Sequence, residues 1–244
     1  MSELHFKALG QDGACCHGGS GRWNTNGEWM PTIHGNLAPC TRGYHLCRAH
    51  DLIEWIGPVI WIAEGQGRSF VSPQYLIFQE ARVVRSLPAW TPVVARRFAA
   101  ECAQRVLPIV EERLPAETLP RQTIEAAWEF ADGSLAFPRL AEPAQRAWQL
   151  ARQLDGAARD AVIAAYGAVV WEADGMAAWA AAGSARSAAA AIVREKTMQE
   201  AKANNLHPRE AEKKADSAAA AALRAEREWQ SGRLFALLGD LEAE

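Results

Sequence analysis

Two hydrophobic periods divide the chain. Over residues 59–64 and 75–84, apolar, β-branched and aromatic side chains crowd into short runs bounded by Gly and Pro, so two antiparallel strands are expected there. Residues 49–56 set apolar side chains at helical spacing and stop at Gly57-Pro58, which predicts one short helix. The Gly-rich stretch 65–69 lacks the lysine and succeeding helix of a phosphate-binding loop and reads as a hairpin turn. Turn signals at Gly18-Gly19-Ser20-Gly21, Asn26-Gly27, His34-Gly35-Asn36 and Arg42-Gly43 suit short strands and hairpins elsewhere in this part.

Beyond residue 93 the period changes to that of a helix. Over residues 93–112, Val94, Phe98, Cys102, Val106 and Val110 fall about one turn apart, an apolar stripe for a partner helix. Prolines 108, 115 and 120 are expected to segment the chain, with further helices over 122–131, 141–154, 157–171, 176–204 and 209–238. Between the two patterns Pro88 and Pro92 carry neither period. The expected architecture is therefore α+β, with a small α+β domain over 1–88 and a helical bundle or array of helical hairpins over 93–244.

Composition sharpens the division: residues 1–100 hold 10 alanines and residues 121–244 hold 37. Small side chains let helices approach closely, and Trp128, Trp148, Trp171, Trp179 and Trp229 fill the remaining volume. A net charge of −3 supplies no field for holding phosphate backbones or an anionic membrane, so direct nucleic-acid and membrane partners are not expected. No apolar stretch of about 18 residues and no leader pattern is found, and the expected compartment is the cytoplasm. The odd set Cys15, Cys16, Cys40, Cys47 and Cys102 fits free thiols.

The segment Arg96-Arg97-Phe98-Ala99-Ala100-Glu101-Cys102-Ala103-Gln104-Arg105-Val106-Leu107-Pro108, with Pro120-Arg121-Gln122-Thr123-Ile124-Glu125-Ala126-Ala127-Trp128 downstream, resembles the bacterial Imm-5-like immunity helical domains over roughly residues 93–240. That resemblance implies a protein-binding module and carries over no catalytic residue. Arg42-Gly43-Tyr44-His45-Leu46-Cys47 is similar to a G-[FY]-H-x-C motif of small phage and bacterial domains, which implies architecture alone.

Two candidate chemistries come from the cysteines and histidines. Cys40, His45, Cys47 and His50, with Cys15-Cys16-His17 upstream, supply enough soft and imidazole ligands for zinc. Their spacing is irregular and lacks a C-x2-C pair, so no metal or other cofactor is expected. Cys47 with a histidine, or Glu54, Glu64 and Glu80, could otherwise serve catalysis, but no oxyanion or phosphate cradle accompanies them and an enzyme is not expected.

Two short peptides point to a protein partner instead. Gln74-Tyr75-Leu76-Ile77-Phe78 and Gln230-Ser231-Gly232-Arg233-Leu234-Phe235 each set a glutamine before an aliphatic–aromatic pair, the form taken by ligands of the bacterial sliding clamp. The bland alternatives are a strand core for Gln74, Ile77 and Phe78, and an amphipathic last helical turn for Gln230, Leu234 and Phe235, with Leu237, Leu238 and Leu241 facing the bundle. Taken together, the motif, the helical domain and the peptides resemble the SocB-type toxins of toxin–antitoxin pairs. That resemblance implies replication inhibited by occupying the clamp, and an antitoxin acting as protease adaptor. The competing expectation is a protein that neutralises a toxin through its helical face, and a third is a zinc module or enzyme centred on residues 40–50.

Overall fold

The computed structural model describes residues 4–170 and 174–239. Four strands, β1 (His5–Leu9), β2 (Tyr44–Arg48), β3 (Val59–Val71) and β4 (Leu76–Ser86), form a small closed barrel in the order β1-β2-β4-β3. All pairings are antiparallel, and β1 closes the barrel by pairing Phe6 with Cys47 on one side and with Ile62 on the other. A 3-10 turn, Ala49–Glu54, leads out of β2, where a short helix is expected from the sequence. The two strands read from the sequence are β3 and β4.

The Gly-rich stretch 65–69 is strand rather than turn, and the hairpin reverses later, where Ser72 N–H donates to the Tyr75 carbonyl. The register explains the difference. Gly65 pairs with Ala81, and the ring of Phe78 lies where a side chain at 65 would project, so glycine here admits a cross-strand aromatic. Gly67, at φ 75°, absorbs the bulge between Gln66 and Ser69.

Among the described residues six α-helices come after the barrel: α1 (Pro92–Arg113), α2 (Leu119–Ala131), α3 (Ala141–Ala151), α4 (Gly156–Val170), α5 (Asp174–Ala203) and α6 (Pro208–Leu238). Thr91 caps α1 by accepting a hydrogen bond from Val94 N–H at 3.2 Å, with Pro92 in the first turn. Pro108 lies inside α1 and does not segment the chain there, and the helical stripe read over 93–112 is α1. α5 and α6 form one long hairpin that turns at residues 204–207, where Asn205 takes the left-handed φ of 52°. The helix expected over 157–171 is α4, and Trp171 and Leu241 lie outside the described residues.

Alanine sets the helix spacing. Ala177, Ala178, Ala181, Ala182, Ala185 and Ala188 of α5 are all fully buried, and α4 answers with Ala157, Ala161, Ala164, Ala165 and Ala168. At Gly167 the two helices come so close that a Cβ would stand 2.9 Å from the Ala181 nitrogen. This alanine face does not stop at the helices: one buried cluster contains it together with Phe6, Cys47, Leu52, Ile53, Ile56 and Ile60 from the barrel side. A second, smaller cluster of Leu9, Trp23, Leu46, Ala63, Ala81 and Val83 belongs to the barrel alone.

Candidate functional site

Phe6 of β1 enters the core shared with the helices, while Lys7 beside it borders a cavity of about 480 Å³ that His45 and the buried Cys47 of β2 also line. The loop between β1 and β2 walls this cavity with Cys15, Cys16, His17 and Trp23, and Trp55 and Tyr75 complete it. Its rings brace one another: Trp23 meets Tyr44 edge-on at 5.4 Å, Trp55 meets Tyr75 at 5.9 Å, and His45 meets Tyr75 at 5.2 Å.

The zinc candidates do not converge on a metal site. His45 Nε2 accepts from the Cys40 N–H at 3.2 Å and its Nδ1 lies 3.1 Å from the Gly43 carbonyl, so both ring nitrogens are engaged. The Cys47 thiol donates to the Phe6 carbonyl at 3.3 Å, and burial pushes its pKa up to about 12. Cys40 is exposed, with Sγ 3.9 Å from the Tyr75 hydroxyl, and His50 is exposed, with Nε2 3.5 Å from Asp51. Among the described residues, no group of three or more His, Cys, Asp or Glu side chains is arranged to hold a metal ion.

The glutamates of the enzyme alternative are dispersed as well. Glu64 pairs with Arg82, Glu80 accepts from Thr32 and Gln66, and Glu54 faces the helices.

Where the barrel meets α5 and α6, a seam of charges runs beside the shared apolar core. Asp51, fully buried, accepts from Arg48 at 2.5 Å and from Arg227 of α6 at 2.9 Å. Glu54 accepts from Arg186 of α5 at 2.6 Å, and Arg186 also donates to the side-chain oxygen of Gln230 at 2.7 Å. Gln230 then donates to the Ala182 carbonyl at 3.0 Å and to Glu226, which accepts from Arg105 of α1. Asp51 and Glu54 are three residues apart on the 3-10 turn, which presents both carboxylates to the helices.

Both candidate peptides are integral to these elements. Gln230 and Leu234 are fully buried on α6, and the Phe235 ring packs edge-on against Phe6 at 5.7 Å. Ile77 is fully buried in β4, Phe78 is half-buried over Gly65, and Gln74 alone is exposed, in the loop before the strand. Either peptide would have to leave its core position to fill a cleft on another protein.

Lys7, Trp55 and Tyr75 as wall residues, and Asp51, Arg186 and Arg227 as the seam, are not expected from the sequence. The local pattern closest to them, His5-Phe6-Lys7-Ala8, is too short to mark a strand by itself.

Fold and site together define an α+β protein in which a small barrel with an aromatic cavity is fused through a shared core to a larger alanine-rich helical array. The array also carries a family signature. Residues 93–234, more than half of the chain, match the family described as Imm-5 like putative immunity protein, and the chain belongs to that family. No curated protein and no solved structure matches the chain. No helix among the described residues is long and apolar enough to cross a membrane.

Proposed function

We propose that this protein is an immunity protein, which neutralises a toxin by binding it rather than by making or breaking bonds. The observation that carries the reading is the family match across residues 93–234, from α1 to the last turns of α6. Side-chain chemistry agrees with it. A nucleophile and base need a thiolate and an unengaged imidazole at neutral pH, whereas Cys47 is held protonated and both nitrogens of His45 are occupied.

Occupation of the sliding clamp by a toxin of this type, with an antitoxin adaptor, is the finer expectation from the sequence, and the burial of Gln230, Leu234 and Ile77 weighs against it. Co-expression in a bacterium with the toxin encoded beside its gene tests the proposal. The expected result is restored growth and a stoichiometric complex on size exclusion. Absence of both, together with saturable binding to purified clamp that Phe235→Ala or Gln74→Ala abolishes in folded protein, would replace it with the clamp reading.

A further inference from the structure

The cavity in the barrel has a composition that selects a ligand. Its volume of about 480 Å³ lies in the range of small-molecule sites, roughly 300–1,000 Å³. Rings from five separate segments wall it: His17, Trp23, Tyr44 with His45, Trp55, and Tyr75. Most of the polar tips of these rings are spent on holding the walls. Tyr44 donates to the Pro31 carbonyl at 2.7 Å, Trp55 to the Gln74 carbonyl at 3.0 Å, and His17 Nε2 to the Ile56 carbonyl at 2.7 Å. The rings share the lining with Ser20, Thr41 and the glycines of 18–21.

One charge stands in it. Lys7 lies over the Trp23 ring at 5.0 Å, and among the described residues it pairs with no carboxylate. Among the described residues no Asp or Glu lines the cavity, and burial holds the pKa of His17 and of His45 below the usual histidine value, so both are neutral at pH 7. An ammonium with no carboxylate partner among the described residues, in a chamber walled by aromatic rings, suits a carboxylate-sized anion. The Tyr75 hydroxyl, which among the described residues meets the weak Cys40 thiol at 3.9 Å, is a second donor.

We propose that the cavity is a binding site for a small planar aromatic molecule bearing a single anionic group, with the ring between the aromatic walls and the anion on Lys7. The site lies outside the family-matched residues, and the proposal stands independently of the immunity reading.

Indole-3-carboxylate and its neutral carboxamide are the probes, titrated calorimetrically into the full chain at pH 7.5. The carboxylate is expected to bind at one per chain and the carboxamide about tenfold more weakly or worse, the worth of one charge-assisted hydrogen bond. Lys7→Met, which keeps the stem over Trp23, should remove that preference, and Lys7→Arg should retain it.

Bound carboxylate should also slow alkylation of Cys15 and Cys40, both at the cavity wall, and leave alkylation of urea-unfolded protein unchanged. The proposal is overturned by any of three results: no saturable binding at millimolar carboxylate, equal affinity for the carboxamide, or unprotected thiols at saturation. Should Lys7→Met fail to fold, by its thermal transition, the carboxylate–carboxamide comparison on the unaltered protein still decides.

Discussion

Gln230 shows how much a single residue type leaves undecided. A glutamine ahead of an aliphatic–aromatic pair is equally a recognition peptide and a buried hydrogen-bonding plug. Here it accepts from Arg186 and donates to the Ala182 carbonyl, so both ends of its amide are satisfied in the core. Gln230→Ala leaves a buried guanidinium short of one acceptor and a carbonyl short of a donor. A stability loss of about 1–3 kcal/mol is expected in chemical denaturation. An unchanged midpoint would mean that the side chain is free in solution.

His17 makes a second prediction at this scale. It donates to the Ile56 carbonyl between the rings of Trp55 and Trp179, and burial, helped by the charge of Lys7, lowers its pKa below the ordinary value near 6.5. The unfolded chain therefore takes up a proton below about pH 6.5 that the folded chain resists. The stability conferred by neutral His17 is complete above that pH and is lost as pH falls through it. His17→Gln keeps an N–H donor without the titration, so the decline in Tm between pH 7 and pH 5 should be shallower in the variant than in the parent. Parallel declines would remove His17 from the pH response.

At the scale of elements, periodicity revealed most of the helices and little of the barrel. The stripe from Val94 to Val110 buries Phe98, Cys102, Val106 and Val110 as a 3.6 period requires, and the long alanine runs became α4, α5 and α6. β1 was illegible because five residues carry too few alternations to stand out, and its partners are distant in sequence. The glycines of 65–69 misled for a physical reason: they resemble a turn until the Phe78 ring is seen lying across them. Pro108 is a segmenting signal by itself, but the apolar stripe read over 93–112 runs through it, and so does α1.

Glycines that permit contact between elements are the sharper test. Gly175, near the start of α5, is packed so closely against the Gly57-Pro58 backbone that a Cβ would overlap those atoms. Gly175→Ala should cost about 1–3 kcal/mol, since backbone atoms cannot turn aside as a side chain does. Gly232, with open space around it on α6, is the control: Gly232→Ala should stabilise by about 0.5–1 kcal/mol through helix propensity. Equal effects of the two substitutions would contradict the close packing of α5 on the barrel.

For the molecule as a whole, the decisive feature is the segment between β4 and α1, which the sequence marks as a break in period. It is anchored: Leu87 and Trp90 are buried, Trp90 Nε1 donates to the Gly57 carbonyl at 2.9 Å, and its ring meets Phe98 of α1 edge-on. Beneath it the main core runs unbroken from Phe6, Ile56 and Ile60 into the buried face of α5 and Leu234 of α6. Beside it the carboxylates of Asp51 and Glu54 are neutralised by Arg48 on the barrel side and by Arg186 and Arg227 from the helices.

Separating the two parts would expose that apolar face and strip Asp51 of Arg227 and Glu54 of Arg186, leaving Arg48 as the cation that stays with Asp51. The halves are therefore expected to unfold together. Far-ultraviolet circular dichroism, dominated by the helices, and tryptophan fluorescence, to which Trp23, Trp55 and Trp61 contribute from the barrel side, should give coincident transitions in denaturant. Residues 1–90 expressed alone should lack a cooperative transition. Arg186→Met should shift both signals by the same amount, about 3 kcal/mol, because the bond it removes spans the seam between the parts. Two separated transitions, or a shift confined to one signal, would show that the barrel and the helices are energetically independent despite their common core.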